Sequence, residues 1–333
     1  MLTRREMLKA AASWGAGSLG GAWWSGSALA QDKGFPRHTV KLITPFPAGS
    51  GPDAALRLVA EQLGRRWGQA VVVDNKPGGN GFIAVAEFKR ATGDGHELVQ
   101  LDNTHCTTHP HTFTQLPYDV ERDFTPLRMI LRTQFFVAVG ANAPYRTLDD
   151  VVTAARAQPE RVTYGSWFVG SPGHLGALRL QSLAGVQMTH VPFRDFGQLY
   201  AAVANREVDW ALGSAASAGP LERAGKIRFI ALAAGARDPL YPQVPATAES
   251  PTMKDFEVAG WTGLFAPRRI SPMLGERLSA DIAEALAAPD VVDRYRALGY
   301  EAPDVGLMAF AELIRRETSA WSGTIRTAQL KLD

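Results

Sequence analysis

Apolar positions along this chain fall into two repeating patterns. Short continuous runs rich in Val, Ile and Leu read as buried strands, and longer stretches with apolar residues three and four apart read as helices. The runs predict strands at 40–46, 71–74, 97–101, 162–164, 188–192, 208–212 and 227–233. Between them the pattern predicts helices at 53–67 (stopped at Gly68), 81–91, 172–183 (ending at Gly185), 196–206 and a short one reaching Gly225. Thr147-Leu148-Asp149-Asp150 reads as a capping box that opens a helix to about residue 158. The chain closes with helices at 272–288, 290–298 and 307–329, and two further strand-like runs lie at 127–140 and 256–266. Such alternation predicts an α/β fold with mainly parallel sheets. Two sets of βα units and two long extended runs predict two lobes joined by two crossings. Residues 31–131 and 252–333 form the first lobe, which holds both ends of the mature chain, and 132–251 form the second. Ligands of such sheets bind outside the carboxyl ends of the strands, which here means a cleft between the lobes.

Composition narrows the picture. With 333 residues, 46% hydrophobic and 20% charged, the chain is long enough for a sizeable core and too apolar for disorder. The single cysteine, Cys106, excludes an internal disulfide or a cysteine-cluster metal site. The first thirty residues read as an export signal of the twin-arginine type. Arg4, Arg5 and Lys9 precede a Gly/Ala-rich apolar run, and Ala28-Leu29-Ala30 precedes an expected cut at Gln31. That run is too short and glycine-rich for a stable membrane span. Removing Arg4, Arg5, Lys9 and Glu6 takes the 35 basic and 33 acidic side chains to 32 of each. A neutral mature chain gives no support for nucleic-acid or anionic-membrane binding; the expectation is a soluble, monomeric, periplasmic protein.

Candidate chemistry gathers at two helix starts. Pro45-Phe46-Pro47-Ala48-Gly49-Ser50-Gly51-Pro52-Asp53 joins a strand to a helix, and Gly170-Ser171-Pro172-Gly173-His174 opens another. Unpaired backbone N–H groups at a helix start attract anions, although a plain βα turn has the same composition. Two such starts across a cleft suit a small carboxylate. Gly49, Gly51 and Ala54 also match a dinucleotide pattern, with Asp74 near the ribose-binding spacing, so an exported dinucleotide-dependent oxidoreductase is the alternative. His105, His109 and His111, with Cys106 and Asp102, form a possible metal set, but without a regular repeat they read as solvated or capping loop residues. Ser171 with His174 suggests a hydrolase pair, but no nucleophile-elbow motif surrounds it and an N-cap serine is the better reading. Trp167, Phe168, Phe193 and Phe196 sit at strand–helix junctions, suited either to ligand stacking or to packing between lobes.

These residues, taken in order, resemble the Bug family, extracytoplasmic solute receptors of tripartite tricarboxylate transporters. The resemblance spans 40–53, 71–79, 116–126, 164–175, 190–193 and Val244-Pro245 through 261–267. It implies a Venus-flytrap binding fold, no enzymatic activity, no cofactor and no metal. It further implies a small carboxylate clamped between lobes and a partner in the membrane permease subunits or in a sensor protein. Carried onto this chain, the first-lobe site is Phe46, Ala48, Gly49, Ser50 and Asp53. The second-lobe site is Ser166, Trp167, Ser171 and His174, plus the loop after Pro192 with Arg194 and Phe196. Trp167-Phe168 and Arg194-Asp195-Phe196 stand where the family has small residues and Lys-Gly, so a flatter pocket for an aromatic carboxylate is expected.

Overall fold

A computed structural model describes residues 34–333, of which 36–333 form one compact unit. The expected export signal and its cleavage point lie outside the described residues. Two five-stranded sheets organise the unit. In the first, β1 (Val40–Thr44) runs parallel to β2 (Val71–Asn75) and β3 (Glu97–Asp102). The order continues through β10 (Ala259–Pro267) to β4 (Phe124–Gln134), with β10 antiparallel to both β3 and β4. In the second sheet β6 (Thr163–Ser166), β7 (Thr189–Pro192) and β8 (Trp210–Gly213) are parallel. There β5 (Phe136–Gly140) lies antiparallel between β8 and β9 (Ile227–Leu232). Both sheets therefore repeat one layout, three parallel strands followed by antiparallel ones. Each buries its own apolar cluster, around Val99, Phe124 and Phe265 in the first and around Val137, Trp210 and Val139 in the second.

The helices start and stop where local chemistry demands. Helix α1 (Gly51–Trp67) is capped by the Ser50 hydroxyl, carries Pro52 in its first turn and ends at Gly68, whose φ of 63° is left-handed. Its buried stripe is Ala55, Leu56, Val59, Ala60 and Leu63. A short helix α2 (Phe82–Phe88) follows β2. The Thr147–Asp150 capping box forms on both sides at the start of Leu148–Ala157, as expected. Pro172–Ala184 is capped by Ser171 and closed by Gly185.

Two expectations need correction. The apolar run 127–140 is two strands in different sheets, separated by Phe135 alone; β4 stays in the first sheet to Gln134, past the expected boundary at 131. The return passage is also later, since Met253, Phe256 and Val258 pack into the core of the second sheet. Ala233 laces the two passages together, its N–H donating to the Phe135 carbonyl (2.9 Å) while its own carbonyl accepts from Val258 N–H (3.0 Å). The histidine segment is likewise no solvated loop. It forms a π-turn, Thr104–Thr108, running into a helical turn, His109–Thr112, and His105 and His109 are buried. Thr107, Thr108 and Thr112 donate their hydroxyls to the carbonyls of Asn103, Thr104 and Thr108. A segment polar in composition is thereby satisfied internally and can pack inside.

Candidate functional site

The carboxyl ends of β1, β2 and β3 bring three loops together. After β1, the Phe46 N–H donates to Thr44 Oγ1 (3.2 Å), and Thr44 donates to Gln100 Oε1 (2.7 Å). Gln100 in turn donates to the Pro52 carbonyl (3.1 Å) and to Thr262 Oγ1 (3.2 Å), which ties the loop to the sheet floor. Asp53 is almost fully buried. Its Oδ2 accepts from Gly49 N–H (2.8 Å) and Arg57 Nε (3.0 Å), and its Oδ1 from Asn75 Nδ2 (2.7 Å), which also holds the Phe46 carbonyl (2.9 Å). Burial pulls the Asp53 carboxyl upward, but the bonds from Arg57, Asn75 and Gly49 outweigh it and hold the pKa below the usual carboxylate range. Asp53 therefore shapes the loop from within, while Ala48 and Gly49 are exposed at its crest. Gly49 has φ 82°, where a side chain would be strained.

Tyr300, which no motif or spacing singles out, reaches this loop from the far end of the chain. A Cβ at Gly51 would lie 2.1 Å from its hydroxyl. This contact takes the close approach that the dinucleotide pattern reserves for a pyrophosphate, and Asp74 pairs with Lys76 (3.3 Å). The dinucleotide alternative has no support here.

On the second sheet the expected residues separate into two layers. Ser171 is fully buried and its hydroxyl accepts from His174 N–H (3.2 Å), so it is a cap. His174 takes the Gly170 N–H on Nδ1 (3.0 Å) and stacks on His190 at 4.0 Å between ring centres; His190 stacks on Tyr164 at 4.9 Å. Ser166 donates to the Phe168 carbonyl (3.0 Å) and bonds His190 Nε2 (2.7 Å). Burial, reinforced by the neighbouring His190 ring, lowers the His174 pKa to about 3, and burial lowers His190 to about 4. Ser166, Ser171 and His174 are thus a buried scaffold whose polar atoms answer one another.

The outer layer is aromatic. Trp167, half-buried, lies against Phe135 (5.7 Å) and Phe196 (5.1 Å), and its ring covers Gly173 so closely that a Cβ there would be 2.5 Å away. Phe168 and Phe196 are 50% and 44% exposed, and Arg194 is exposed beside them. Phe193 instead packs inward, against Gly165. These exposed rings and the exposed crest of the first loop are the surfaces a ligand could touch.

Among the described residues, donors of His38, Asp94 and His96 come within 4.8 Å of one another. The two imidazoles are stacked, with ring centres 3.8 Å apart and planes 24° from parallel, so their in-plane lone pairs run side by side instead of converging. In the 105–111 segment each histidine faces a different partner: His105 Nδ1 bonds Asp102, His109 Nδ1 bonds Tyr118 Oη (3.0 Å) and His111 Nε2 bonds the Thr318 carbonyl (2.9 Å). Burial pushes the Cys106 thiol up, away from the thiolate a metal needs.

Comparison with known proteins decides the family. Residues 55–330 match the family described as tripartite tricarboxylate transporter family receptor. The chain belongs to that receptor family. A Pseudomonas sp. relative from the tcbD–tcbE intergenic region is 31% identical over 87% of this chain and 86% of its own length. A solved R. palustris protein with adipate superposes with a TM-score of 0.78, at 26% identity over 89% of this chain and 99% of that one. MatC from Rhodopseudomonas palustris, with bound malate, gives 0.74 at 28% identity over 87% and 100%. The resemblance to Bug receptors read from the motifs holds, and the two-lobed architecture is that of periplasmic binding proteins. Receptors of this family are solute-binding proteins and not enzymes.

Proposed function

We propose that this protein captures a small carboxylate between its two lobes and presents it to the membrane subunits of a tripartite tricarboxylate transporter. The observation that carries the reading is membership of a receptor family whose solved relatives hold adipate and malate at near-complete coverage. The lobes are residues 36–134 with 259–333, and residues 136–258; closure turns about Phe135 and the Ala233–Val258 passage. Closing the cleft removes water and strengthens hydrogen bonds to a carboxylate, and a partner that recognises the closed form needs the ligand to favour that form. The periplasm is the site of action, after removal of residues 1–30.

Trp167, Phe168 and Phe196 crowd the second-lobe side with flat apolar surface, and Arg194 adds an exposed cation. These features favour an aromatic carboxylate over a linear aliphatic one. Thermal unfolding of the purified protein with benzoate-type, dicarboxylate and amino-acid ligands tests both levels. A ligand at about 100 times its Kd adds about 2.7 kcal/mol. Stabilisation by aromatic carboxylates above the others is the expected result. Equal shifts across the panel would remove the aromatic preference, and stabilisation by a nicotinamide dinucleotide alone would overturn the receptor.

A further inference from the structure

The strongest unused feature of the cleft is the pair Asp102–His105 on the first lobe. His105 opens the π-turn directly after β3, with its Nδ1 and its backbone N–H both bonded to Asp102 Oδ1. The residue is 7% exposed, yet Nε2 has no hydrogen-bond partner among the described residues and is not sealed from solvent. That nitrogen lies where three site loops converge. A Cβ on Gly81, after β2, would be 2.0 Å from it, and the Phe46 ring, after β1, meets the imidazole edge-on at 6.2 Å. A buried imidazole fixed on one side by a carboxylate and bare on the other is held ready for a partner outside the protein.

We propose that His105 is a ligand-contacting, specificity-determining residue, donating Nε2–H to a carboxylate oxygen of the bound solute, with Asp102 as its positioning residue. The inference rests on the receptor reading above and adds a side-chain contact from the first lobe. Because Nδ1–H is committed to Asp102, Nε2 donates only when the ring carries both protons. The charge on Asp102 offsets that of the imidazolium. The carboxyl of Asp102 suits this role: burial works against its ionisation, but the charge and hydrogen bonds of His105 prevail and keep its pKa low.

The groups facing the ring are few. Asp102, Cys106 and His109 lie on its own segment, Tyr118 accepts His109 Nδ1–H and donates to the His105 carbonyl (2.7 Å), and Glu317 approaches Cys106 from the C-terminal helix. Phe46 and Gly81, which touch the ring, carry no charge. Burial, aided by His105, lowers the His109 pKa to about 3, which keeps that neighbour neutral near pH 7.

Calorimetric titration of the purified protein with benzoate, malate and adipate at about pH 7, where these carboxylates are ionised, tests this together with nitrogen NMR of the His105 ring. The expected result is binding that moves the His105 Nε2 resonance. His105→Gln, folded as judged by its unchanged unfolding midpoint, is expected to bind about 10- to 100-fold more weakly. Asp102→Asn, which loosens the hold on the ring, should weaken binding by less. A His105 Nε2 resonance that saturating ligand leaves unmoved in wild type would overturn the inference even if the variants failed to fold. So would equal affinity in wild type and His105→Gln, and either outcome would leave the receptor reading intact. Absence of binding to every carboxylate would overturn that reading, and this inference with it.

Discussion

Single residues here divide into those that build the cleft and those that face it. Ser171 belongs to the first kind: its hydroxyl answers the His174 N–H from a fully buried position. Ser171→Ala removes a helix cap and is expected to lower the unfolding free energy by about 0.5–2 kcal/mol, read from denaturant midpoints. Ligand affinity, measured where both variants are folded, should be nearly unchanged. Asp53 works in the same way, since every bond it accepts comes from its own loop or from Arg57 and Asn75. A cap motif states where a helix begins, but not whether the capping side chain turns toward the ligand or into the protein. For that reason Ser171, His174 and Asp53 were legible as residues of two helix starts, while the buried bonds that hold them were not. His105 shows the converse, because its hydrogen-bonded side and its bare side separate only once Gly81 and Phe46 are brought against it.

Elements whose borders are set by local chemistry were readable: the starts at Ser171 and Thr147 and the stops at Gly68 and Gly185 are formed as expected, while the first helix starts two residues before the expected Asp53, capped by Ser50. Unreadable were borders set by tertiary context. Nothing in the apolar run around Phe135 marks a change of sheet, because residues on both sides are equally suited to a buried strand. Tyr300 meets Gly51 across most of the chain length, a contact no spacing announces. Strand β10 supplies an element-scale test. Gly263 sits at an irregularity in its pairing with β4, and a Cβ there would lie 2.4 Å from the Phe310 ring and 3.0 Å from the Arg128 carbonyl. Gly263→Ala must push the C-terminal helix, Leu307–Thr327, off the sheet. The expected loss is about 1–3 kcal/mol, seen as a lower thermal midpoint.

At the scale of the whole molecule, the buried imidazoles make stability depend on pH. His174 and His109, near 3, and His190, near 4, stay neutral in the folded state. Unfolding returns each ring to about 6.5, so below that value the unfolded chain binds protons that the folded chain refuses. This contribution is complete above about pH 6.5 and is lost as pH falls toward 3–4, at up to about 1.4 kcal/mol per pH unit for each ring. Denaturant midpoints between pH 7 and 4 should therefore fall, and His174→Gln should flatten the slope by one proton. Trp167 carries a last consequence of the architecture. Its indole is wedged between Phe135, at the passage between sheets, and Phe196, on the rim of the proposed cleft. Any rotation of one lobe against the other changes how much water that indole meets, so the protein contains its own fluorescent gauge of closure. Ligand addition should shift its emission in wild type and leave the spectrum of Trp167→Phe nearly still.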